Sequence, residues 1–411
     1  MTTEPSQVNK QTTPRKRKAP ASKEEIEKGE KLQEAKQGDA IAQIEVGRCY
    51  EYGICGFGSD AKEAFHYYQL AAQADVSYAH YKVARCYHYG VGVPKDLEKA
   101  KESYHKAVDH DLALPAAMYE LAKCYISGSI PDKRKCFEWL TKSVEHPWER
   151  APSDAYFMLG RCYDKGIAGF IERDHKKAAK FFSAAIIDDR HVPAEIHLYA
   201  LFAKNEGGGT LEKAIEGLHY SLDLETSTGK YYAELAYHLG NCYFDKAKKN
   251  YKLVSEYIKA HQYTSYVSVL KQAQADETKW LKYLTIATNK NFPKAVYAFG
   301  ESYQEGYLNL PKNFEKAKEC FLHCVMLFEK NPKHADCREL LPVVKAALEK
   351  VKQLITEQNQ PTSSTSTALL GESLTKTLQK GFPNPWKGLD ATASIQADSK
   401  KNEKPSLSLG L

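Results

Sequence analysis

Ala79–Ala107 reads AHYKVARCYHYGVGVPKDLEKAKESYHKA, and the order of residue types within it decides the fold. Ala79, Val83, Ala84 and Tyr87 stand at offsets 0, 4, 5 and 8, one side of a 3.6-residue helix, helix A. Gly90 and Gly92 interrupt that periodicity, and Asp96 sits where a side-chain oxygen caps the next helix, helix B. Helix B continues the apolar stripe through Ala100, Tyr104 and Ala107.

The same pattern recurs outward in both directions. Helix A returns at Ala42/Val46/Gly47/Tyr50, Ala117/Leu121/Ala122/Tyr125, Ala155/Leu159/Gly160/Tyr163, Ala194/Leu198/Tyr199/Phe202, Leu235/Leu239/Gly240/Tyr243 and Ala295/Phe299/Gly300/Tyr303. That makes seven copies, with aromatic anchors spaced 37, 38, 38, 39, 41 and 60 residues apart. Offset 5 is Gly or Ala in six copies; a mid-helix Gly costs ~1 kcal/mol against Ala, so the spacing predicts that a neighbouring helix comes close there. Asp60, Asp96, Asp132, Asp174, Thr210, Asp276 and Asn313 are the expected caps of the seven B helices.

The linker Tyr87-His88-Tyr89-Gly90-Val91-Gly92-Val93-Pro94-Lys95-Asp96, with Lys99-Ala100, resembles the Sel-1-like repeat of the tetratricopeptide superfamily. The resemblance covers about residues 38–328 and departs at Ile130-Pro131 and at Gly207-Gly208-Gly209. It implies an all-α, right-handed superhelix of antiparallel helix pairs, an adaptor in protein complexes, and, from the habits of bacterial members, an effector acting in a host cell. Around the repeats the expected layout is a basic arm over 1–22, a leading helix over 23–37, an insertion over 245–275, a capping helix over 329–358 and a disordered tail over 359–411.

In that superfamily, helix A offsets 2 and 6 face a concave groove that takes extended peptides. Here they are Ile44/Arg48, Tyr81/Arg85, Tyr119/Lys123 and Phe157/Arg161, then Ile196/Ala200, Tyr237/Asn241 and Tyr297/Glu301. A cation every ~10 Å beside a flat ring suits an acidic peptide with an apolar anchor. The expected partner-binding residues are Arg48, Tyr81, Arg85, His88, Tyr119, Lys123, Phe157 and Arg161. The alternative is that the rings wedge between helices and the cations are merely solvated.

The insertion sets six Lys against Asp245 and Glu256 with tyrosines between them, and Lys248, Tyr251, Lys252, Tyr257 and Lys259 are a second candidate partner site. Basic plus aromatic residues also fit nucleic acid, whereas an extra helical hairpin with a solvated Lys face explains the spacing without any ligand. Arg15-Lys16-Arg17-Lys18 resembles a nuclear import signal, and Phe382-Pro383-Asn384-Pro385-Trp386 has the makings of a docking motif.

Composition fits a chain with a folded body: 43% hydrophobic, 27% charged, and Lys+Arg 58 against Asp+Glu 52 for a net +6 over 411 residues. No stretch approaches the ~18 apolar residues of a membrane helix, and no apolar run follows the basic N-terminus as a secretory signal requires, so a cytoplasmic chain with reduced cysteines is expected. Cys49, Cys86, Cys124, Cys162 and Cys242 precede the repeat aromatic and predict a buried thiol column. Cys320, His323 and Cys324 offer too few ligands on one helix face for a metal. Ser373-Leu-Thr-Lys376 spells a nucleophile motif without its companions, and no other catalytic constellation appears. The expectation is a non-enzymatic adaptor without cofactor; the alternatives are a nucleic-acid-binding repeat protein and a regulatory subunit of an enzyme complex.

Overall fold

Each copy of the repeat becomes two antiparallel helices because Gly or Pro and a capping side chain separate two amphipathic runs. The computed structural model describes residues 23–358, apart from 110–113, 129, 168, 188–189, 309 and 333–335 and the side chains of 23–26, 263–264 and 338. The basic arm with Arg15–Lys18, the Ser373–Lys376 motif, the Phe382–Trp386 motif and the tail lie outside the described residues.

The chain divides into two compact units, Met1–Ala194 and Glu195–Leu411. In the first, α1 (Lys23–Lys36) precedes four pairs: α2 (Ala40–Tyr52) with α3 (Ala61–Ala72), α4 (Ser77–Tyr89) with α5 (Leu97–Val108), α6 (Pro115–Ser127) with α7 (Lys133–Val144), and α8 (Ser153–Lys165) with α9 (His175–Ile186). Helix α10 (Val192–Ala203) crosses the boundary. The second unit continues with α11 (Leu211–Leu224), α12 (Tyr232–Lys259) against α13 (Tyr263–Asn289), α14 (Pro293–Glu305) against α15 (Phe314–Lys330), and α16 (Cys337–Gln358). The architecture is all-α; among the described residues the one β feature is an isolated bridge between Ile167 and Ile171.

Six of the seven expected caps do the work assigned to them. Asp60 and Asp96 each accept two backbone N–H bonds, and Asp132, Asp174, Thr210 and Asn313 accept one. Asp276 does not. It lies inside α13, fully buried, accepting from Asn250 and Gln272 with Lys246 Nζ 4.0 Å away. The reason is that 245–275 makes no separate hairpin: nothing between Tyr232 and Asn289 breaks a helix except the turn at Ala260–Gln262, so the extra residues lengthen both helices of the sixth pair.

The small residue at offset 5 faces a large one on helix B. A Cβ on Gly160 would stand 2.7 Å from the Phe182 ring, and one on Gly300 2.6 Å from that of Phe321, and both rings are fully buried. In the fifth pair the sizes are exchanged: Tyr199 occupies the small position, and Gly217 on α11 makes room for its ring. Volume is conserved across the interface, as close-packed interiors demand. Of the cysteine column, Cys49, Cys86, Cys124 and Cys242 are buried and Cys162 half-buried.

Candidate functional site

The A helices of the first unit also carry the residues that point away from this core. On α2, Glu51 accepts from Tyr68 Oη at 2.5 Å and from Lys82 Nζ at 2.9 Å. Lys82 is 4% exposed, an unusual burial for an ammonium, and its Nζ lies 5.4–5.7 Å from the rings of Tyr52, Tyr68 and Tyr78. Burial opposes ionisation of Glu51, but the Tyr68 and Lys82 bonds outweigh it and hold its pKa below the ordinary carboxylate value.

One repeat further on, Glu120 of α6 is the hub of a second network. It accepts from Tyr89 Oη at 2.7 Å and lies 3.1 Å from Lys123 Nζ and 3.5 Å from His88 Nδ1, while Lys123 also donates to Tyr89 Oη at 2.7 Å. Burial again disfavours the charge on Glu120, and the bonds from His88, Tyr89 and Lys123 more than reverse it. For Lys123 the same Tyr89 and Glu120 contacts overcome burial and raise its pKa. Asp154 of α8 completes the series, 3.0 Å from His191 Nε2, and that contact keeps its pKa low.

Arg85 stands between the first two networks. Its guanidinium carbon is 5.8 Å from the Tyr81 ring and 6.0 Å from that of Tyr89, and its buried Nε has no hydrogen-bond partner among the described residues. Burial opposes its charge, but Tyr81, Glu51 and Glu120 together favour it.

The contacts of Lys82 with Glu51, Lys123 with Tyr89 and Tyr119 with Asp154 join α2, α4, α6 and α8 into one wall that carries Tyr81, Arg85, Tyr119, Lys123, Phe157 and Arg161. Arg48 and Arg161 are exposed, the latter 5.9 Å from the Phe157 ring centroid. The rings follow the wedging alternative more than the open-groove one. Tyr119 is 9% exposed, with burial and then Asp154 raising its pKa, and Phe157 lies against Phe182 and His191. Ile44 packs with Ala71 and Ala79 in the core. His88 is 4% exposed and turned inward on Glu120, Tyr104 and Cys124, so it supports the wall without facing a ligand. Sequence reasoning missed the carboxylates: Glu51, Glu120 and Asp154 sit at unequal offsets, and only the i,i+3 spacing of Glu120 and Lys123 signalled a pair.

The equivalent offsets of the second unit carry different chemistry. Ile196 is buried, and Tyr297 donates to Glu301 of its own helix at 2.7 Å. On α12, Lys248, Lys252 and Lys259 are exposed and Tyr257 is half-buried, whereas Tyr251 donates to Glu277 of α13 at 2.6 Å. Tyr251 is therefore spent on helix packing and not available for stacking. Among the described residues no group of three or more His, Cys, Asp or Glu is placed to hold a metal, and no helix is long and apolar enough to cross a membrane.

The Sel1 repeat family matches residues 40–76, 77–112, 115–146, 153–186 and 293–322, the helix pairs of copies one to four and seven. The chain carries Sel1 repeats. A solved Sel1-like structure, a protective antigen present in uropathogenic Escherichia coli strains, superposes with a TM-score of 0.52 at 16% identity, covering 82% of this chain and 68% of that one. Two fission-yeast (Schizosaccharomyces pombe) proteins share sequence with it. Chitin synthase regulatory factor 3 is 29% identical over 152 residues, 34% of this chain and 16% of that protein. A protein provisionally described as an ERAD-associated E3 ubiquitin-protein ligase component is 37% identical over 90 residues, 22% of this chain and 12% of that one. The Sel1-repeat chain thus spans well under two thirds of either relative.

Proposed function

We propose that this Sel1-repeat chain is a non-catalytic adaptor that binds a carboxylate-bearing segment of a partner protein along the wall of α2, α4, α6 and α8. One observation carries the reading: every carboxylate of the wall is bonded within the chain, whereas Arg48, Arg85 and Arg161 make no hydrogen bond or ion pair among the described residues. Three unspent guanidinium groups, on α2, α4 and α8, two of them beside an aromatic ring, favour carboxylate recognition over a merely solvated face. The names of the relatives, a regulatory factor and a ligase component, agree with a role as a member of an assembly.

Lys123 contributes differently from its three counterparts. Already paired with Glu120, it shapes the wall and adds no free charge. The test is the triple charge reversal Arg48→Glu, Arg85→Glu and Arg161→Glu, with capture of cytosolic partners measured beside the unaltered chain. Each lost charged contact removes ~1.5–3 kcal/mol, so recovery falls below detection; undiminished recovery by a folded triple variant overturns the reading.

A further inference from the structure

We infer that Arg85 is the floor of a subsite for a single carboxylate, an Asp or Glu side chain of the partner, and that this subsite turns away a phosphoryl group in the same place. The inference rests on the groove reading of the same wall and adds its ligand chemistry.

The first support is the orphaned donor. A buried charged nitrogen without an acceptor is rare in folded proteins, and Arg85 Nε is one. Among the described residues, the two carboxylates nearest in effect are already engaged. Glu51 is close enough to be felt by Arg85 but is engaged by Tyr68 and Lys82, and Glu120, also felt, is engaged by His88, Tyr89 and Lys123. A carboxylate of the partner supplies the acceptor that these two cannot. The rings of Tyr81 and Tyr89 lie 5.8 and 6.0 Å from the guanidinium carbon, and Tyr89 is 46% exposed, so a ligand reaches the guanidinium past Tyr89. A carboxylate arriving there meets the outer edge of the guanidinium first; rotation of the half-exposed side chain then brings Nε–H into the two-toothed fork that arginine offers a carboxylate.

The second support is charge. Glu51 with Lys82 and Glu120 with Lys123 are matched pairs, which leaves one positive charge in this part of the wall, on Arg85. One carboxylate neutralises it. A phosphoryl group carries about −1.5 to −2 at pH 7, and its excess would sit between two carboxylates that are only 20% and 12% exposed, where like charges are poorly screened. Sites built for phosphate cluster several free cations; this one holds a single free cation between two acids.

The test uses fluorescein-labelled octapeptide pools with identical flanks and Glu, Gln or phosphoserine fixed at the centre, titrated by polarisation against the full chain in 0.15 M salt. The Glu pool is expected to bind at least tenfold more tightly than the Gln and the phosphoserine pools, and Arg85→Gln to erase the Glu–Gln difference. Arg85→Lys, which keeps the charge without the fork, should retain part of it. Glu51→Gln should raise phosphoserine binding relative to Glu. Phosphoserine binding as tight as Glu, or a Glu–Gln difference that survives in folded Arg85→Gln, overturns the subsite and leaves the groove reading standing. Should Arg85→Gln fail to fold, absence of the phosphoserine gain in Glu51→Gln overturns it instead. Failure of all three pools to bind, or binding untouched by Arg48→Glu with Arg161→Glu, overturns the groove reading itself.

Discussion

Gly92 offers the sharpest test of how the repeats lock together. It lies in the loop between α4 and α5 with φ +71°, and a Cβ there would stand 1.9 Å from the carbonyl oxygen of Ala61, the first residue of α3 in the preceding pair. Two costs follow from Gly92→Ala. The left-handed backbone costs ~1 kcal/mol for a residue with a side chain. The clash is with backbone, which cannot swing aside, and forced displacement in a packed interface adds ~1–3 kcal/mol, for a total of about 3. Gly90→Ala separates the two: its φ is +74°, but its Cβ would meet Lys95 at an ordinary 3.4 Å, so it bears the backbone cost alone, ~1 kcal/mol. Urea unfolding followed by far-UV circular dichroism, with hydrogen exchange of the α3 and α4 amides, measures both. Equal losses for the two variants, or a loss below ~1 kcal/mol for Gly92→Ala, would refute the claim that the loop of one repeat is seated on the helix start of another.

Other consequences are more local. Asp96→Ala removes an acceptor of two backbone N–H groups and should cost ~1 kcal/mol in the same unfolding experiment. Lys82→Met strips the half-buried Glu51 of its counter-ion and should cost ~3 kcal/mol, whereas combining it with Glu51→Gln should cost less than the two single losses added, a coupling measurable by a double-mutant cycle. The folded-state pKa values of Glu51 and Glu120 lie below the ordinary 4.5. Their stabilisation is therefore complete above that value and disappears as pH falls through the folded values. Glu120→Gln should make unfolding free energy less steep in pH below about 4.5, and an unchanged slope would contradict the network. Burial pushes Cys86 to about 11 and Cys124 and Cys136 to about 12, so in the native chain these thiols should resist iodoacetamide at pH 8 and react only on unfolding, as mass spectrometry of alkylated peptides would reveal.

The helix pairs were legible in the sequence because their signals are local: a 3.6-residue stripe, a capping Asp, a glycine pair in the linker. Asp276 defeated the same logic, since a capping residue type is informative only where a helix begins, and α13 begins 13 residues earlier at Tyr263. The wall was half legible. Its cations and rings recur at fixed offsets, so the register exposed Arg85 and Arg161. Its carboxylates recur at no fixed offset, and they decide which cations are free: Lys123 reads like Arg85 in the sequence, yet Glu120 occupies it, whereas no described residue accepts from Arg85 Nε. Likewise His88 and Tyr119 look surface-directed by spacing, but contacts to Glu120 and Asp154 from neighbouring helices draw them in.

The central claim is that a partner's acidic segment lies on the wall of α2, α4, α6 and α8. Photo-cross-linking addresses it directly, with benzoylphenylalanine in place of Tyr52, 56% exposed at the edge of that wall, or in place of exposed Lys106 on α5. The account predicts adducts from position 52 that map to Asp- and Glu-bearing segments of the partner and diminish when an excess of the Glu peptide pool is added. Adducts arising from position 106 alone, or from position 52 on segments without acidic residues, would contradict it.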